Sequence, residues 1–379
     1  MTTETLSTQS TGLRPSLSRI LASVAALLVG WIAVTWLAGL RQGALFVIGA
    51  GFGAVLSGAS FGFTTGWRVW LKHRDPTGLL AQFLAIGLAT VVAVPLLATH
   101  PELSGAAAPI SWSLLVGAFV FGATMQLSDG CGSGTLYKAG LGNPVSLAVF
   151  PAFIAGSFLG ALHLDAWLAL GTFPALSLIG GFGAAGTVAI TLGLLGLIGA
   201  IVWTRRRTTD SRWQGKGVYV AAALLAALSI LNLVVAGQPW GIVYGLGLWG
   251  AKLVTWAGAD LSGNAFWGRE AQQAQINGSV LDDVTSVTDL GLLLGAFLIA
   301  WRRRAACPSV GDLRPAQWVW VVTAGLVLGY SSRLAFGCNV GAFFSGISTG
   351  SVHGWIWFAC AFAGSILGVR LREAAGFRG

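Results

Sequence analysis

Gly130-Cys131-Gly132-Ser133-Gly134 and Gly337-Cys338-Asn339-Val340-Gly341 decide how this chain is read. Both follow the pattern Gly-Cys-x-x-Gly, and both interrupt apolar runs. The likeness extends outward. A glycine stands nine residues before each cysteine (Gly122 and Gly329), and a leucine four before (Leu127 and Leu334). Downstream, Ala155-Gly156-Ser157-Phe158-Leu159-Gly160 matches Ala363-Gly364-Ser365-Ile366-Leu367-Gly368 after a one-residue insertion. Shared glycines alone mean little in a chain with 55 of them. Two motifs at near-equal separation indicate an internal repeat. The chain is therefore expected to comprise a cytoplasmic N-terminal tail over 1–19, a first transmembrane half over 20–207 and a second over 208–379.

Composition explains what surrounds these motifs. Of 379 residues, 55% are hydrophobic and 9% are charged, against about 25% charged in a soluble domain. So few charges cannot cover a water-facing surface of this size, and the mean hydropathy of +0.76 agrees. A soluble helical protein is excluded on this ground. The 17 tryptophans suit membrane–water interfaces. The net charge of +9 does not point to nucleic acid. The basic residues sit in short clusters between apolar runs: Arg205-Arg206-Arg207, Arg302-Arg303-Arg304, and Arg370, Arg372 and Arg378. Cytoplasmic loops have this character under the positive-inside rule.

Eleven apolar runs are legible, roughly 20–40, 43–66, 78–98, 111–129, 145–163, 179–203, 217–236, 239–258, 286–301, 315–335 and 351–369. A spanning helix needs about 20 residues. The first run reads as an uncleaved helix, because it is long for a signal-peptide core and Arg41 follows it. Arg14, Arg19, Arg68, Lys72, Arg74, Arg212 and Lys216 mark cytoplasmic ends. Three runs lie between Lys216 and Arg302, an odd number that cannot join two points on the same side. The run 239–258 opens with Pro239, is rich in glycine and contains Lys252, so it is the expected re-entrant or broken piece. About nine full crossings are predicted, with short pieces between them and both termini cytoplasmic. The polar stretch 260–288 is expected to be an extramembrane loop with a short surface helix. The fold class is all-α: a polytopic integral membrane helical bundle of two pseudo-symmetric repeats with short re-entrant or broken helices.

In repeat-built transporters the binding site lies between the repeats, on interrupted helices. Gly130, Gly134, Gly337 and Gly341 weaken helix continuation around the cysteines. A broken helix leaves free N–H groups that bind anions. A thiol there can donate a weak S–H hydrogen bond to an oxyanion or sulfur, or its thiolate can attack sulfur. Cys131 and Cys338 are therefore the leading candidates. Cys307 and Cys360 have no partner in the repeat and read as small buried hydrophobes. Lys252 and Arg333 are intramembrane cations that read either as part of an anion's path or as snorkelling anchors. Lys138 reads either as an anion attractor or as a cytoplasmic anchor. Asp129 would repel an anion unless paired with a basic residue or facing water. His100 and His353 read as loop or interface residues. No metal-ligand spacing, phosphate loop, catalytic triad or dinucleotide fingerprint occurs, so neither a metal, a cofactor nor an enzymatic activity is expected. Four scattered cysteines do not make a disulfide framework.

Residues 121–160 and 334–372, with Ser128-Asp129-Gly130-Cys131-Gly132-Ser133-Gly134-Thr135-Leu136-Tyr137 and Phe336-Gly337-Cys338-Asn339-Val340-Gly341-Ala342-Phe343-Phe344-Ser345-Gly346 at their centres, resemble the YeeE/YedE sulfur-transport family. Pro239-Trp240-Gly241 through Trp249-Gly250-Ala251-Lys252, and Asp283-Val284-Thr285-Ser286 to Asp289, are also similar, and the resemblance covers most of 45–372. It implies uptake of thiosulfate across the bacterial inner membrane, with cysteine thiols passing the ion along an hourglass-shaped path. Two path cysteines carry over onto Cys131 and Cys338. The family's further cysteine has no counterpart in 58–71, which leaves Thr64, Thr65 or Arg68 as donors there. Some relatives are linked to selenium metabolism, and a small soluble TusA-like sulfur carrier is the implied cytoplasmic partner. The rival readings are a membrane sulfurtransferase that forms a cysteine persulfide, and a membrane scaffold for the soluble carrier.

Overall fold

A computed structural model describes residues 16–207, 216–303 and 313–377. The expectations placed on Arg14, Arg212, Arg304, Cys307 and Arg378, and on most of the N-terminal tail, lie outside the described residues. The first stretch forms α1 (Leu17–Ala38), α2 (Leu40–Gly58), α3 (Phe63–His73), α4 (Thr77–Thr99), α5 (Trp112–Leu127), α6 (Gly132–Gly140), α7 (Pro144–Leu162), α8 (Leu164–Leu168) and α9 (Leu178–Thr204). The second forms α10 (Gly217–Ala236), α11 (Val243–Trp256), α12 (Glu270–Asn277) and α13 (Val284–Arg303). The third forms α14 (Pro315–Leu334), a π-helical segment (Asn339–Phe344), α15 (Ser345–Ser348) and α16 (Val352–Ala374). Among the described residues the only strands are β1 (Ile110–Ser111) and β2 (Thr172–Phe173), which pair antiparallel. The protein is a multi-pass helical membrane protein.

Ten helical stretches among the described residues are long and apolar enough to cross a membrane, one more than predicted. Ten is also what eleven apolar runs leave when the one run 239–258 fails to cross, and of the three runs after Lys216 two are long enough to span. α10 and α13 each reach 20 residues, whereas α11 has 14 and is not among the ten. At 1.5 Å per residue α11 spans about 21 Å, short of a hydrocarbon core of about 30 Å. Pro239 and Gly241 lie in the irregular backbone that precedes it. The polar stretch before α13 carries the short α12, and Lys252 ties α11 to it by donating to the carbonyls of Ile276 (2.8 Å) and Gly278 (2.6 Å).

Glycines bring three helix pairs into backbone contact. A methyl on Gly122 would run into the carbonyl of Ala361, and one on Gly364 into that of Phe119, which joins α5 to α16. Gly156 meets the Leu326 carbonyl and Gly329 that of Phe153, joining α7 to α14. Gly53 meets the Leu292 carbonyl and Gly295 that of Ala50, joining α2 to α13. Lipid supplies no hydrophobic drive between helices, so association relies on such close packing. The pairing is reciprocal: α5 and α7, which flank the first cysteine, pack on α16 and α14, which flank the second.

Candidate functional site

Three of the long spans are composite: Leu40–His73, Trp112–Gly140 and Pro315–Ser348 each contain a break. The breaks share one backbone design. Ser60, Asp129 and Phe336 adopt left-handed φ values of 49°, 58° and 57°. The next N–H in each case (Phe61, Gly130, Gly337) donates five residues back, to Leu56, Met125 and Ser332, at 2.9, 3.2 and 2.9 Å. This is the Schellman way of ending a helix, here without glycine at the left-handed position. Such a conformation costs roughly 1–3 kcal/mol for a bulky residue such as Phe336. A new helical turn then starts, in which the carbonyls of Gly62, Cys131 and Cys338 accept from Gly66, Thr135 and Ala342 at 2.9, 2.8 and 2.9 Å. Cys131 and Cys338 have nearly the same backbone angles, φ −91° and ψ −166° against φ −92° and ψ −168°. Gly337, at φ 151°, sits where only glycine is comfortable, and a methyl on it would lie 2.7 Å from the Ala342 nitrogen.

The structure brings the two cysteines together. Both are buried, and a methyl built on Gly132, the neighbour of Cys131, would lie 2.9 Å from the Cys338 sulfur and 3.5 Å from Ile242 Cγ2. Cys131 Sγ lies 3.4 Å from Ser133 Oγ. Gly134 faces Cys131 at 3.6 Å, while Gly341 has nothing within 4 Å of a would-be Cβ. A fourth break, at 237–242, turns on Gly237 (φ 69°) and delivers Ile242 to this junction. Several polar groups here are buried without a partner: the Thr64 and Thr135 hydroxyls, both polar atoms of Asn339 and both carboxylate oxygens of Asp289. The matched breaks also show where a third thiol would stand. The position equivalent to Cys131 and Cys338 is Gly62, whose Cβ would lie 3.0 Å from Thr65 Oγ1 and 3.6 Å from the Tyr137 hydroxyl.

Asp129 is paired. Its carboxylate takes Arg68 and Lys138 at 2.7 Å each and Arg372 at 3.6 Å. Arg68 also donates to Gln126 Oε1 at 3.0 Å, so it is engaged in this cluster. Arg333 lies at the other end of α5, because the neighbouring Leu334 carbonyl accepts from Ser113 at 2.8 Å while Arg372 reaches the Gln126 carbonyl at 2.9 Å. Those thirteen residues of helix separate the two ends by about 20 Å. The Arg333 guanidinium stacks 5.4 Å from the Tyr244 ring and 5.1 Å from the Phe266 ring, and its Nε has no partner. Lys252 is held by its two carbonyls and does not join the cysteines. Just before α13, Asp283 accepts from both the N–H and the hydroxyl of Ser286 at 2.7 Å. Burial pushes its carboxyl up from the ordinary value, and the Ser286 bonds pull it back. His353 differs from its expected loop or interface setting: it is buried at the start of α16, with Nδ1 2.7 Å from Ser351 Oγ. Sequence reasoning passed over Asp289 as a site residue and over the Asp129 cluster as a unit; the signal for the first was an acidic residue inside an apolar run.

Two buried cysteines meeting at broken-helix ends inside a polytopic bundle define the class as a multi-pass helical membrane protein, and comparison with known proteins supplies the family. The sulphur transport family model matches residues 58–367, so the chain belongs to that family. It is 28% identical over 270 residues to the thiosulfate transporter TsuA of Spirochaeta thermophila, covering 64% of this chain and 72% of the relative. It is 29% identical over 172 residues to the probable transporter YedE of Salmonella typhimurium and 29% over 170 residues to that of Escherichia coli. Those two matches span 41% and 39% of the relatives.

Proposed function

We propose that this chain takes up thiosulfate, or a closely related small sulfur anion, across the bacterial inner membrane, passing it between the thiols of Cys338 and Cys131. The observation that carries this reading is the meeting of two buried cysteines at the starts of two interrupted helices, where a methyl on Gly132, next to Cys131, would lie 2.9 Å from the Cys338 sulfur. Thiosulfate is a dianion with a soft terminal sulfur. Weak S–H donors hold such an ion loosely enough to release it. The likeness to a relative named as a thiosulfate transporter supports the substrate. The reciprocal packing of α5 and α7 on α16 and α14 supports two pseudo-symmetric halves. The clusters Arg205–Arg207 and Arg302–Arg303 favour cytoplasmic termini under the positive-inside rule. A TusA-like carrier is the partner proposed on that side.

The test is growth of a thiosulfate-uptake-deficient bacterium on thiosulfate as sole sulfur source. Cys131→Ala and Cys338→Ala proteins that insert normally should fail to support growth; parental growth of both sinks the thiol path. Flux into proteoliposomes without any soluble carrier separates transport from scaffolding. A mass gain of about 32 Da, one sulfur atom as in persulfidation, would favour the sulfurtransferase instead.

A further inference from the structure

Asp289 lies on the second turn of α13 with no exposed surface, and neither of its carboxylate oxygens has a hydrogen-bond partner. Buried carboxylates are ordinarily paired or hydrogen-bonded. The same chain shows the ordinary solutions: Asp283 takes two bonds from Ser286, and Asp129 takes three cations. Asp289 has neither, and no described cation lies within ion-pair distance of it.

Its position is central. A methyl built on Gly245, in the first turn of α11, would lie 3.2 Å from Asp289 Oδ2, and Ile242, three residues earlier, lies 3.5 Å from a methyl built on Gly132 at the cysteine junction. Asn339, next to Cys338, is equally buried and has Nδ2 and Oδ1 unpartnered. Two buried side chains with four unpartnered polar atoms thus stand on elements that meet at the junction.

The elements packed against α13 bring few charges. On α2 the ionisable residue is Arg41, which bonds the carbonyls of Val235 and Ala236. On α1 it is Arg19, which bonds the Trp301 carbonyl. On α6 they are Tyr137 and Lys138, the latter held by Asp129. On α11 they are Tyr244, bonded to Gln275, and Lys252, held by Ile276 and Gly278. Asp282 and Asp283 precede α13, and Arg302 and Arg303 end it.

We propose that Asp289 is a proton-coupling residue: a proton binds it together with the anion and enters with it. This rests on the transport reading above. A charged Asp289 repels a dianion at Cys338, whereas the carboxylic acid is neutral and donates an O–H. An intramembrane acid facing a bundle interior is the usual place for such a relay. The proton comes from the outer water and is released to the inner water; no covalent bond other than O–H changes, and nothing is oxidised or reduced.

The experiment uses the full chain in proteoliposomes, with sulfur-35 thiosulfate, the membrane potential clamped with potassium and valinomycin, and a pH dye inside. Acidifying the outside should speed uptake several-fold in the parent, and thiosulfate added without a gradient should acidify the lumen. Asp289→Asn, a fixed neutral side chain, should lose both responses while still exchanging labelled for unlabelled thiosulfate. Asp289→Glu, which keeps a titrating group, should retain the gradient response with a displaced pH midpoint, and so guards against a merely misfolded Asn protein. Parental uptake that ignores the proton gradient, an Asn variant with the parental response, or acceleration by a sodium gradient instead would each overturn the proposal. Absence of any thiosulfate exchange by the parent would overturn the transport reading, and the coupling with it.

Discussion

Gly132→Ala tests the cysteine junction with a single methyl group. The new Cβ would lie 2.9 Å from Cys338 Sγ, 3.3 Å from Cys338 Cβ and 3.5 Å from Ile242 Cγ2. Comfortable contacts need about 3.5–4.0 Å, so Cys338 must retreat by roughly 0.6–1 Å. Overpacking of this kind costs about 1–3 kcal/mol. Alanine returns up to about 1 kcal/mol in helix propensity, which leaves a net loss of about 0–2 kcal/mol. The protein should therefore still fold. Transport should suffer more, because the displaced atom is the sulfur itself: uptake is expected to fall at least ~10-fold, equivalent to about 1.4 kcal/mol on a barrier. The assay pairs initial uptake into proteoliposomes with thermal unfolding in detergent. Gly196→Ala on α9, which meets nothing within 4 Å, is the control: it should leave uptake unchanged and hold or slightly raise the Tm through the same helix-propensity gain. Parental uptake by a correctly folded Gly132→Ala protein would refute the idea that the two thiols must meet at this spacing.

Other substitutions separate the remaining parts. Asp129→Asn leaves Arg68, Lys138 and Arg372 facing one another; a broken buried pair costs about 3–5 kcal/mol. With the Asp129 side chain 30% exposed, we expect about 2–3 kcal/mol after that discount, read as a lowered Tm. Gly62→Cys should fold, since φ −124° and ψ 122° suit any residue, and should transport at least as well as the parent once Thr65 yields; loss of uptake would mean that this break does not face the path. Arg333→Gln should raise the KM for thiosulfate and leave the maximal rate, with Arg333→Lys restoring part of the affinity; an unchanged KM would leave Arg333 as an anchor between two rings. Lys252→Met should lower the Tm without altering KM, because its partners are loop carbonyls rather than the cysteine junction.

The helical class was legible because 55% hydrophobic residues in runs of about 20 permit little else. The short piece after Pro239 was legible from its proline, glycines and lysine. What composition cannot give is the end of a helix within an apolar run. Ser60 carries no sequence mark of a left-handed turn, and Phe336 argues against one, yet both adopt it where Asp129 does. For that reason the first break was recognised as a stretch without cysteine, and Gly62 as its cysteine-equivalent position emerged only from matched hydrogen bonds. Pairing partners were similarly hidden. Asp129 reads as an acid that must pair with a basic residue or face water, and the sequence does not show which partners, because Arg68 and Arg372 are 61 and 243 residues away. Lys252 and Arg333 looked alike as intramembrane cations, and only the fold distinguishes one bound to carbonyls from one stacked between aromatic rings.

On the transport reading, the distribution of charge has a physical logic. Arg333 stands near one end of α5 without a carboxylate, and three cations share Asp129 near the other. Between them the junction offers thiols and an amide, with no cation among the described residues bound into it. A dianion needs positive charge where it leaves water, since desolvation there costs several kcal/mol. A cation at the narrow centre would instead trap it, since two opposite unit charges 4 Å apart attract by about 4 kcal/mol at an effective dielectric of 20, and the second charge of the dianion doubles that. Conduction requires binding weak enough to leave. Weak donors at the centre and cations at both ends meet both demands, and a single acid at the centre makes the same site responsive to protons.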